Sequence, residues 1–125
     1  MKHIQTGLRL FLGLIYFVFG LNGFLHFIPA PPLTGPSGDF ATAMINTGYF
    51  FTMVKAVEVV GGLALLTGMF VPLALVVLAP VTLNIFLFHA FLAPEGMYIQ
   101  VLLLIIHLIL GWYYRSSYRE VLKIK

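Results

Sequence analysis

Four stretches of this chain are apolar for long enough to cross a bilayer as helices, and the last three are separated only by short turns. They run from about residue 10 to 28, 48 to 69, 71 to 93 and 97 to 114. A span of roughly 20 apolar residues rises about 30 Å as a helix, the thickness of the hydrocarbon core. The predicted fold is therefore all-α: an integral membrane four-helix bundle, forming one domain over residues 1–125. Composition agrees, with 61% of residues hydrophobic and 9% charged.

Charge placement sets the expected orientation. Six of the seven Lys and Arg residues, Lys2, Arg9, Arg115, Arg119, Lys123 and Lys125, fall on the side of the two termini. The opposite side carries Asp39 and Glu95 and no basic residue. By the positive-inside rule both termini are expected in the cytoplasm, in a bacterial inner membrane. The net charge of +3 invites a nucleic-acid reading, but basic residues at the two ends of an apolar chain make no basic face. The chain has no cysteine, so thiolate chemistry and cysteine-held iron–sulfur clusters are excluded. The first run also has the basic start of a signal peptide. It is long and ends in bulky residues and Pro29, however, so a retained span is expected.

Between the first two spans, residues 29–47 carry Pro29, Pro31, Pro32 and Pro36 and form an outer loop. Its later part, Asp39 to Asn46, has helical spacing with Asp39 as a candidate cap. Gly13 and Gly20 share a face of the first span, with Gly23 close by, and allow close packing either inside the bundle or between copies. Pro80 interrupts the third span and removes a backbone donor, which Asn84 is placed to help replace.

The chemistry-bearing residues cluster by depth. Lys55 and Glu58 lie inside the second span, and a rise of roughly 1.5 Å per residue puts Glu58 near the midplane. His107 in the fourth span falls at a similar depth. Asn22, His26, Asn84, His89 and Gln100 lie farther toward the side away from the termini. Asn22, Asn84 and Gln100 read as interhelical hydrogen-bond partners or as ligand contacts, and His26 as an interfacial residue. Asn84 and His89, five apart, cannot face one pocket on a regular helix. A charge at mid-span costs about 2.5–3.5 kcal/mol, offset in part when Lys55 and Glu58 pair at i,i+3. Two readings stand: a structural ion pair, or a site in which Glu58 moves a proton with Lys55 and His107 as partners. Glu58 and His107 beside an apolar cleft suit a quinone carbonyl. Metal or haem is disfavoured, because the histidines lack short ligand spacing. A small-solute or proton path, or a groove for a partner membrane protein, is the alternative.

Several segments together resemble one family. They are Phe19 to Pro29, with Asn22 and His26; Thr47 to Phe50, then Lys55 and Glu58 leading into Gly61 and Gly62; Pro72 to Leu75 and on to Ala79 and Pro80; and Asn84 to His89. This combined pattern resembles the DoxX family of small bacterial four-helix membrane proteins. The resemblance implies association with membrane redox systems, since the family takes its name from a small subunit of a thiosulfate:quinone oxidoreductase. The expected function is a quinone-facing or accessory subunit, with the bilayer, a quinone, a redox subunit and a second copy of the chain as candidate partners.

Overall fold

A computed structural model describes residues 2–27, 34–94, 97–121 and 123. The prolines at 29, 31 and 32 and the turn residues Glu95 and Gly96 lie outside the described residues. Five α-helices appear among the described residues: α1 (Lys2–Leu25), α2 (Gly35–Asn46), α3 (Phe50–Thr67), α4 (Val71–Phe91) and α5 (Met97–Tyr113). A 3-10 turn, Arg115–Tyr118, follows α5. Helices α1, α3 and α4 are long and apolar enough to cross a membrane, and α5 is a shorter apolar helix of 17 residues.

The boundaries differ from expectation at both ends of α1, which starts eight residues earlier, at Lys2, and ends at Leu25. A helix end in a membrane protein can project past the apolar core into the interface, so hydropathy locates the span rather than the helix. The predicted outer loop contains a full helix, α2. It begins at Gly35, with Thr34 at the cap position and Pro36 in its first turn, where a missing N–H has no cost. Asp39, expected as the cap, lies within the helix and is exposed. Thr47 joins α2 to α3: its hydroxyl donates to the Met44 carbonyl at 2.7 Å and accepts the Phe50 N–H at 2.9 Å.

The turn between α3 and α4 is set by two left-handed residues, Gly68 and Phe70. Gly68 closes α3 with its own N–H and that of Met69 both on the Ala64 carbonyl. Arg9 of α1 reaches across and donates to the Leu65 carbonyl, adding positive charge at the carbonyl end of α3. Two more bonds tie the start of α1 to the end of α5 and the segment after α5 to the start of α4. Gln5 donates to the Tyr114 hydroxyl at 2.6 Å, and Tyr118 donates to the Pro72 carbonyl at 3.1 Å. Burial, with Tyr114 nearby, pushes the Tyr118 hydroxyl above its ordinary pKa, which keeps it a donor. The start of α1, the end of α5 and the α3–α4 turn thus share one end, which also carries Arg9, Arg115, Arg119 and Lys123.

Helices α1, α3, α4 and α5 pack in that order as a ring, with α5 returning to α1. Leu12, Leu65, Leu78 and Leu110, one from each helix, are fully buried and form its centre. Large apolar side chains such as Leu14, Val60, Leu73 and Leu108 point outward, as lipid contact requires. Helix α2 lies outside the ring against α3, and its Phe40 ring sits 5.7 Å from that of Phe88 on α4.

The tightest contact is between α1 and α3. Lipid supplies no hydrophobic drive for helices to associate, so close backbone approach through small residues must do it. A Cβ placed on Gly62 would meet the Phe17 nitrogen at 2.5 Å and the Gly13 oxygen at 2.8 Å. One on Gly13 would meet Leu65 Cβ at 2.9 Å. The glycine face of α1 is therefore used inside the molecule. Gly62→Ala is expected to lower stability in detergent by about 1–3 kcal/mol. Gly7→Ala, where nothing lies within 4 Å, should not destabilise. Equal melting of the two variants would refute this account of the α1–α3 contact.

Candidate functional site

Glu58 lies halfway along α3 and is 2% exposed. Its neighbours explain how a carboxylate fits there. Gly20 of α1 packs directly on Glu58 Cβ and on Val59, and Gly23 packs on the stem of Lys55. Any side chain at either glycine would collide with the pair, so α1 makes room for it. Lys55 Nζ stands 3.3 Å from Glu58 Oε2, with the ammonium 5.4 Å from the centre of the Phe51 ring. The lysine is the more open partner, at 21% side-chain exposure against 3% for the glutamate. Glu58 Oε2 is paired by charge but accepts no hydrogen bond among the described residues.

Beside the pair runs a second polar feature that links three helices. The Tyr16 hydroxyl of α1 bonds the Thr82 hydroxyl of α4, and Thr82 Oγ1 lies 2.8 Å from His107 Nδ1 of α5. His107 Nε2 is 2.9 Å from the Leu75 carbonyl of α4. The end group fixes every proton in this chain. A carbonyl only accepts, so Nε2 carries hydrogen; Nδ1 of a neutral ring then accepts from Thr82, and Thr82 accepts from Tyr16. Leu75 lies one turn before Pro80, next to the carbonyl of Val76 that Pro80 deprives of its helical donor. Tyr16, Thr82 and His107 are all buried.

The structure therefore gives His107 partners other than the expected ones. It is bonded to Thr82 and Leu75 rather than to Glu58, and Tyr16 lies one helical turn from Gly20, which packs on Glu58. Asn84, expected as an interhelical hydrogen-bond partner or ligand contact, is on the exposed side of α4, because the buried stripe is Leu75, Leu78 and Thr82. His89 is half-buried and donates from Nδ1 to the Ile85 carbonyl on its own helix at 3.0 Å. His26 lies just past the end of α1, exposed and with a positive φ of 52°. Gln100 is half-buried at the start of α5, and Asn22 half-buried on α1. Among the described residues no three His, Asp or Glu side chains converge as metal ligands do.

Tyr16 and Thr82 were missed in the sequence. Tyr16 lies between Gly13 and Gly20 on the glycine face of α1, a position from which burial was readable. Thr82 gave no such signal, because α4 is apolar all round and nothing in its pattern marks the inner face. An apolar groove of about 400 Å³ runs between α3 and α4, lined by Val57, Val60, Gly61, Leu73 and Val77 among others. Neither Glu58 nor His107 lines it.

If the chain is directed as derived, Thr82→Val leaves both the Tyr16 hydroxyl and His107 Nδ1 without partners. A loss of about 1–3 kcal/mol is expected, with Tyr16→Phe costing much less in the Thr82→Val background than in the wild type. A double-mutant cycle measured by denaturation in detergent checks this, and additive effects would refute the chain.

Neither a curated protein nor a solved structure matches the chain at a significant level. The DoxX family model matches residues 4–90, which hold α1 to α4 almost whole, with Tyr16, Lys55, Glu58 and Thr82. His107 falls beyond the match. With the family model covering well over half of its length, this membrane protein belongs to the DoxX family.

Proposed function

We propose that this protein is a quinone-facing accessory subunit of a membrane redox system, and that it holds a proton at mid-membrane rather than carrying electrons. In this reading α1, α3, α4 and α5 cross a bacterial inner membrane, with both termini in the cytoplasm. The shared basic end supports that orientation. The observation that carries the functional reading is Glu58: a buried carboxylate, charge-paired but without a hydrogen bond on Oε2, beside a directed chain of hydroxyls and imidazole. Such groups are costly in lipid and usually mark a site.

The groove between α3 and α4 supports the quinone part. It offers an isoprenoid chain a seat on the lipid side and, being lined by carbon, offers a quinone ring no donor. That favours an accessory role over catalysis by Glu58 and His107 on the ring itself. Lys55 and Glu58 then exchange a proton with a neighbouring subunit. The un-hydrogen-bonded oxygen of Glu58 also favours a second reading, a proton or small-solute path that opens on the Lys55 side.

Purification in mild detergent, with extraction and mass spectrometry of bound lipids and proteins, separates the two. A co-purifying quinone, lost from a Val60→Trp variant that melts normally, together with a redox partner, is expected. Glu58→Gln should keep the quinone and the partner but slow quinone turnover by the complex. A preparation free of both quinone and partner would refute the redox reading. Proton uptake into proteoliposomes that is abolished by Glu58→Gln would then support the path.

A further inference from the structure

The end of the molecule that carries the start of α1 and the end of α5 has an open surface cavity of about 410 Å³ lined by the exposed residues Tyr113, Arg115, Ser116 and Arg119. It contains none of the residues discussed above as a mid-membrane site. The 3-10 turn builds it, by folding the chain straight after α5 so that Arg115 and Ser116 come beside Arg119. The geometry points to a binding site for the phosphate headgroup of an anionic membrane lipid.

Three observations carry this assignment. First, Arg115 is held in place: its guanidinium stacks on the Trp112 ring at 4.4 Å and its Nη1 donates to the Trp112 carbonyl at 2.9 Å. A guanidinium fixed through one nitrogen keeps its other donors for an anion, and its planar fork suits phosphate. Second, both arginines have uncommitted charge. Among the described residues neither has a carboxylate within 4.0 Å. The nearby carboxylate, Glu120, is paired with Lys123 at 3.3 Å. Two guanidiniums, a serine hydroxyl and a tyrosine edge then line one cavity, with no carboxylate among the described residues paired to them. Third, the level is right for a headgroup. Tyr118 of the same turn donates to the carbonyl of Pro72, the second residue of α4, and the adjoining Tyr114 bonds Gln5 near the start of α1. The cavity therefore lies level with the ends of two helices long enough to span the membrane, next to the aromatic residues Trp112 and Tyr113. An anion reaching it from the lipid side is a headgroup; one reaching it from water is free phosphate, and the depth favours the first.

The full-length protein in detergent is offered phosphatidylglycerol, phosphatidylcholine or inorganic phosphate, and bound lipid is counted by native mass spectrometry beside a thermal melt. Phosphatidylglycerol is expected to be retained over phosphatidylcholine by about tenfold or more. Arg115→Gln with Arg119→Gln should abolish that preference while the lipid-free melt stays as in the wild type. Arg115→Lys should retain only part of the preference, since an ammonium keeps the charge but not the fork. Equal retention of the two lipids would overturn the assignment, as would a preference that survives the double substitution. Inorganic phosphate that displaces phosphatidylglycerol at millimolar concentration would overturn the lipid as occupant and assign the cavity to a free anion.

Discussion

The approach of α1 to α3 is the contact on which the rest of the structure depends. Lipid tails compete on equal terms with leucine side chains, so apolar surface alone cannot hold these helices together. Backbone contact through Gly13 and Gly62 can, since it brings many atoms within van der Waals range without ordering any side chain. The same closeness has a second effect four residues and more along the pair. It lays Gly20 and Gly23 over Glu58 and Lys55, and so seals an ion pair into the bundle that a bulkier α1 would push out. Arg9 on the Leu65 carbonyl then fixes the register of the two helices at the opposite end.

Two kinds of polar arrangement coexist at mid-depth, and they answer the cost of burial differently. In the chain from Tyr16 to Leu75 each donor has one acceptor, so the protons have one consistent arrangement and the helices α1, α4 and α5 are tied by direction as well as by contact. The Lys55–Glu58 pair is held by charge, which has little directional demand and leaves the glutamate with unused acceptor capacity. A satisfied chain is structural glue of high specificity. An under-satisfied carboxylate beside it has room to gain or give up a proton, and this difference is why the functional weight falls on Glu58. His107 belongs to the first arrangement, a position its depth alone did not reveal.

Much of the fold was legible because membrane insertion imposes a simple rule. Every backbone polar group must be satisfied within its own segment, so apolar length reads directly as helix. The glycine face of α1, the i,i+3 spacing of Lys55 and Glu58 and the one-sided charge of the ends were read the same way. Helix α2 was only half seen, because prolines mark where a helix cannot continue but not that one begins just after them. The exposed side of Asn84 and the buried side of Thr82 were not legible for one reason. On a helix with apolar residues on every side, hydropathy does not distinguish the lipid face from the protein face.

The sequence by itself determined that the long apolar segments are helical, which end of the molecule is basic and which residues must be protected from lipid. Those follow from transfer costs that act on each residue whatever its neighbours. Only the tertiary structure decided who protects them: Gly20 and Gly23 cover the ion pair, Thr82 joins Tyr16 to His107, and the turn after α5 gathers Arg115 and Arg119 around one cavity. Those choices rest on the rotation of each helix about its axis. Close packing and hydrogen-bond direction set that rotation, and neither is written in the hydropathy of a single helix.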